Sequence, residues 1–219
     1  MDERIERARL LYERAVFNGD AAALDEADRD LDAVEADLAL ARGRIIHTRF
    51  LEQRDQHPEQ AAEDPAELPL FERAAQLYQA LGDVRGEAEA LFWTGCFHQV
   101  VRRDDAAALP ALNRSLQLAV QAGDKMTMSE ALRHLGIEAH ASGRLDEARE
   151  RLEQSCRLRR EMGMLPGVAA NQVGLAYIAA AQGRRDDALA ILDEAAAITQ
   201  DTGAARVGRY VTEARAALA

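Results

Sequence analysis

Lysine is almost missing from this chain. Of its 27 basic residues only Lys125 is a lysine; the rest are arginines. Acids outnumber bases, and the formal net charge is −11. A chain of that sign repels a phosphate backbone, so direct nucleic-acid binding is not expected. There are two cysteines, Cys96 and Cys156, 60 residues apart. That spacing fits no metal motif, and two isolated thiols in apolar surroundings fit a reducing cytoplasm better than a disulfide framework. Aromatics make up 5% of the residues. No window approaches 18 apolar residues without charge, which excludes a membrane-spanning helix. The N-terminal stretch MDERIERARLLYERAV has no apolar centre, so no signal peptide is expected. The short motifs of nucleotide-binding loops, hydrolase elbows, zincins and Cys-x-x-Cys sites do not occur, so no cofactor or metal is expected. DRDLD at Asp28–Asp32 begins like a calcium loop. It fails because Ala33 and Ala39 stand where that loop needs Gly and Glu.

What is present is repetition. Three units align, at about 85–123, 126–163 and 166–203, each of two helical segments. Small and apolar residues recur in the first segment: Leu91, Thr94 and Gly95; Leu132, Leu135 and Gly136; Leu175 and Ala176. The second carries a period-four stripe: Ala108, Leu112, Leu116; Ala148, Leu152, Cys156; Ala188, Leu192, Ala196. Between the segments lie RRDD, GRLDE and GRRDD, turns whose acids suit the positive end of the next helix. Gly82, Gly123, Gly163 and Gly203 recur at intervals of 41, 40 and 40 residues and mark helix ends. Helical hairpins this short cannot hide an apolar face alone, and stacking copies buries it.

These residues resemble the tetratricopeptide repeat family. Leu132, Leu135, Gly136, Ala139, Ala148, Leu152 and Ser155 fit its pattern. Leu175, Ala176, Ala179, Ala188, Leu192 and Ala195 follow, then Leu91, Gly95, Leu112 and Ser115 with an irregular turn. The unit of about 40 residues is longer than the family's usual 34, and the terminal proline of the pattern is replaced by AGD or MGM. The resemblance implies an all-α, right-handed superhelix of hairpins whose first helices line a concave groove. It places Glu89, Phe92, Cys96, Gln99, Glu130, Arg133, Ile137, His140, Val173 and Tyr177 on that wall, with Trp93 and His134 at its edge. Cys96, Ile137 and Tyr177 stand where chaperone-type members have a carboxylate-clamping asparagine, so that clamp is not expected. Equally open is a groove covered by a neighbouring helix of the chain.

Residues 1–65 read differently from 66–219. They carry 17 acids and 9 bases. Helices are expected at 3–18 and at about 22–55. The second has a heptad stripe, Leu24, Ala27, Leu31, Val34, Leu38, Ala41, Ile45 and Thr48, spaced alternately by three and four. The stripe either packs against the helices at 3–18 and 68–81 or pairs with a second copy as a homodimer. QHPEQAAEDPAELP, at 56–69, holds three prolines and reads as a loop. Leu68–Leu81 forms the next helix, and Ala205–Ala219 a capping helix.

The function expected is non-catalytic: a scaffold, regulatory or adaptor in kind, binding a peptide or protein segment in the groove. A sensor or sequestering protein for an apolar small molecule is the alternative. An enzyme on the same scaffold is a third, with Glu130 and His140, or Glu89 and His98, as its acid–base pair. Arg102–Arg103, Arg159–Arg160 and Arg184–Arg185 read as solvated turn and helix ends, with an acidic partner as the alternative.

Overall fold

The computed structural model describes residues 2–218; Ala219, placed by sequence in the last helix, lies outside the described residues. These residues form ten helices and no strand. They are α1 (Glu3–Asn18), α2 (Ala22–Gln56), α3 (Glu67–Leu81), α4 (Val84–Val100), α5 (Asp105–Ala122), α6 (Lys125–Ala141), α7 (Leu145–Glu161), α8 (Leu165–Ala181), α9 (Arg185–Thr202) and α10 (Ala205–Leu218). The chain divides into two compact units, Met1–Leu118 and Ala119–Ala219, with the division falling inside α5.

The joints between hairpins follow from two residues. Gly82 and Gly123 take the left-handed conformation that closes a helix, and Asp83 and Asp124, next in sequence, cap the helix that follows. The Asp83 carboxylate accepts the Gly86 N–H at 2.9 Å, and Asp124 accepts Met126 N–H at 3.1 Å. Each cap satisfies an orphan donor of the first turn. Within hairpins, Gly143 and Gly183 hold φ of 76° and 77°. Forty residues before Gly143 the chain has Arg103, which takes φ 55° without the glycine. The irregular RRDD turn is one residue longer than its relatives: Asp104 N–H bonds the carbonyl six residues back, at His98, where Arg144 and Arg184 N–H bond the carbonyls five back, and a side chain stands in the left-handed conformation.

In the first unit α2 packs along α1 on one side and α3 on another, and reaches α4. α1 runs antiparallel to α2: Ala8 and Leu11 cluster with Ala23 and Ala27, Arg7 pairs with Asp30, and Arg4 pairs with Asp37 at 2.7 Å. The core joins Ala36, Ala39 and Leu40 of α2 to Phe71, Ala74, Leu77 and Tyr78 of α3 and Ala90 and Phe97 of α4. Gly43 gives Phe71 its place; a Cβ there would come 2.5 Å from the ring. Gly95 does the same for Leu112 of α5, at 2.6 Å from its Cγ.

Of the heptad stripe Ala27 packs against α1, but its large members do not pack against α1 and α3. The buried residues of α2 are mostly small: Ala23, Ala27, Ala36, Ala39 and Gly43, with Leu40, His47 and Phe50. Small residues let the neighbouring backbones approach closely. The large members of the stripe turn outward instead: Leu24, Leu31, Leu38 and Ile45 keep 45%, 45%, 49% and 54% of their surface.

In the second unit consecutive helices pack from α6 to α10, and the first helices of the hairpins also touch: α6 meets α8, and α8 meets α10. The period-four stripe faces inward as expected. Ala148 and Leu152 of α7 sit with Ala139 of α6 and Ile178 of α8. Ala188, Leu192 and Ala195 of α9 sit with Ala169, Ala176 and Ala179 of α8 and with Val211 and Ala214 of α10.

Candidate functional site

The ten residues assigned to an inner wall fall into two sets, four in the first unit and six in the second. In the first, Phe92 and Cys96 are buried. Cys96 faces the long helix: its Sγ lies 3.6 Å from Nε2 of His47. The His47 Nδ1 in turn lies 2.7 Å from Oε1 of Glu67, which is fully buried. Trp93 stands edge-on to the His47 ring at 5.4 Å and stacks on Phe71 at 5.7 Å. Glu89 is tied to α2 by Arg44 at 3.1 Å, and Gln99 donates to Asp105 at 2.9 Å. On this unit, then, the long helix covers Cys96, and the apolar members of the set are core.

The line Cys96–His47–Glu67 has the order of a nucleophile, base and orienting acid. All three are at most 3% exposed, so the cluster closes α2 onto α3 and α4 and offers no face to a substrate. Sequence reading missed it because His47 and Glu67 lie on different helices, 20 residues apart, with no local spacing to join them.

The second set differs. Ile137 of α6 is 37% exposed. His140 of α6 and Val173 and Tyr177 of α8 are half-buried, the latter two resting on the α8–α9–α10 core. Beside them lies a polar network. Arg133 donates to the Ala170 carbonyl at 3.0 Å and to Asn171 Oδ1 at 3.1 Å. Arg159 of α7 is buried; it reaches Glu130 Oε2 at 2.7 Å, the Gly167 carbonyl at 2.9 Å and Asn171 Oδ1 at 3.3 Å. Asn171 donates to Ser155 at 2.8 Å, and Ser155 donates to the Ser129 carbonyl at 2.6 Å. Arg159 is therefore no solvated helix end. It falls in phase with Ala148, Leu152 and Cys156, and that phase was the available signal. Arg160, one residue on, is exposed and pairs with Glu194 at 3.1 Å. Burial pushes the neighbouring Cys156 thiol up, away from the reactive thiolate.

The two acid–base pairs named for an enzyme are not assembled. Glu130 is held by Arg159 and Glu89 by Arg44, and among the described residues no hydrogen bond joins either acid to its histidine. His98 has a buried Nδ1 without a hydrogen-bond partner, and its ring packs edge-on against Phe97. Among the described residues no group of three or more His, Cys, Asp or Glu side chains is placed to hold a metal ion, and no helix is long and apolar enough to cross a membrane.

One cleft, of about 350 Å³, lies in the first unit between the C-terminal part of α2 and the proline-rich loop. Ile46, Arg49, Phe50, Gln53 and Glu63 are among its lining. Arg102 grips Glu63 with two hydrogen bonds, at 2.7 and 3.0 Å, and holds its carboxyl below the ordinary range.

Compared with family models and with curated proteins, the chain matches no family model and no curated sequence.

Proposed function

We propose that this chain is a non-catalytic scaffold of tetratricopeptide-like hairpins that holds a peptide or protein segment on the first helices of its second unit. In this reading the hairpins continue as a right-handed superhelix, and the working wall is made by α6 and α8. The single observation that carries it is the solvent-facing Ile137, set on the helix that touches α8, where Val173 and Tyr177 remain half open. Apolar groups flanked by a few fixed polar ones make a binding surface with both affinity and orientation. Burial against Ile137 and Tyr177 supplies affinity at roughly 25 cal/mol per Å². Arg133 and Glu130 are held rigid by Asn171 and Arg159, so a ligand does not have to order them.

Phe92 and Cys96 are left out of this wall, since both are core. The test uses a phage-displayed library of random peptides selected on the protein. Enriched peptides should lose at least tenfold in affinity for Ile137→Asp. That side chain keeps 37% of its surface, and unchanged circular dichroism checks that the fold stays intact. Peptides bound equally by the variant would refute the assignment.

The small-molecule reading has an open cleft of about 350 Å³ on the first unit to draw on. Its site is then the cleft and not the wall. A thermal-shift screen of metabolites against Phe50→Ala and wild type separates the two.

A further inference from the structure

The outward stripe of α2 is a feature that the fold leaves unused. Leu24, Leu31, Leu38 and Ile45 repeat every seven residues, all exposed, along about 32 Å of helix. At about 100° per residue, the antiparallel packing of α1 brings Ile5, Tyr12 and Val16 to the same side, and these three are exposed too. Two helices side by side make a face about 20 Å wide, so the patch covers roughly 600 Å². A standard interface buries about 800 Å² per partner. A patch of that size with charged borders marks a contact surface.

The charges say what it contacts. From Ala22 to Asp37, α2 carries seven acids against Arg29; from Leu38 to Gln56 it carries four arginines against Glu52 and Asp55. The column one turn beyond each apolar residue reads Asp28, Glu35, Arg42, Arg49. All four are exposed. Asp28, Arg42 and Arg49 make no ion pair within the described residues; Arg49 also borders the cleft, and Glu35 is shared with Arg73 at 2.7 Å. Reversed, this column is its own complement. In an antiparallel pair each acid meets an arginine of the other copy; in a parallel pair Asp28 meets Asp28 and Arg42 meets Arg42.

We propose that two copies of this chain associate through α2, antiparallel about a two-fold axis near the middle of the helix, with the leucine stripe as the seam and the acid-to-base column as the device that fixes direction. Such an isologous contact closes on itself and forms no filament. It is independent of the wall on α6 and α8, so either proposal can fail alone.

The test is mass by light scattering across a concentration series, then orientation. Wild type should give twice the 24.0 kDa chain mass, and Leu31→Glu with Leu38→Glu should give 24.0 kDa with unchanged circular dichroism. Asp28→Arg with Glu35→Arg, and Arg42→Glu with Arg49→Glu, should each be monomeric alone and dimeric when mixed. Both native cysteines are buried, so a nitroxide at Asp25→Cys labels one site per chain. In an antiparallel pair the two labels sit roughly 30–40 Å apart along the helix. A single-chain mass at every concentration, a dimer indifferent to the leucine substitutions, or labels within about 20 Å of each other overturns the proposal.

Discussion

Arg103 should be the easiest residue in this protein to improve. It occupies the position that Gly143 and Gly183 hold in the next two hairpins, and adopts φ 55° where they adopt 76° and 77°. For an L-residue that conformation costs about 1–2 kcal/mol, because Cβ crowds the carbonyl oxygen that follows. Arg103 is exposed and, among the described residues, makes no hydrogen bond or ion pair in return. Replacing it with glycine removes the crowding and adds freedom to the unfolded chain, worth about 0.5–1 kcal/mol in the opposite direction. The balance is a gain of about 0.5–1 kcal/mol, or roughly 1–4 °C in Tm for a chain of this size. Thermal unfolding by circular dichroism, with calorimetry to test whether the two units melt together, reads it directly. Gly183→Ala is the control. A Cβ there meets nothing within 4 Å, so the backbone conformation alone is penalised, and Tm should fall by a comparable amount. If Arg103→Gly leaves Tm unchanged or lowers it while Gly183→Ala is destabilising, the strain assigned to the left-handed Arg103 is wrong.

Two further outcomes follow from the polar contacts. Arg159→Ala should destabilise the second unit by about 2–4 kcal/mol, because it strips Glu130, Asn171 and the Gly167 carbonyl of a buried partner; equilibrium urea unfolding measures it, and a cost under about 0.5 kcal/mol would show the network to be ornamental. The Arg7 guanidinium holds the Asp30 carboxyl below its ordinary 3.8. A carboxyl depressed by folding adds stability that is complete above the unfolded value and lost as pH falls through the folded one. The acid limb of the stability curve below about pH 4 should therefore be shallower in Asp30→Asn, and an unchanged limb would remove Asp30 from the account.

The long helix shows where reading and folding part. Its length and bounds, its proline-rich exit at 56–69 and the three hairpins after it are local facts, written as periodicity, glycine and proline. So is the heptad of Leu24, Leu31, Leu38 and Ile45. Which way that heptad faces is not local. An alanine face and a leucine face are both apolar, and only the positions of α1 and α3 decide that the alanines are buried and the leucines left out. The same holds for the candidate wall. Cys96 and Ile137 look equivalent by repeat position, yet Cys96 is core and Ile137 is open.

By itself the sequence determined the helices, their caps and the forty-residue pairing, because each depends on residues a few positions apart. Tertiary structure alone decided that Cys96 lies beneath His47 and Glu67, that Arg159 turns inward to Glu130 and Asn171, and that α2 keeps an apolar edge. Those outcomes depend on which side of a helix a distant neighbour occupies, and no local spacing encodes that.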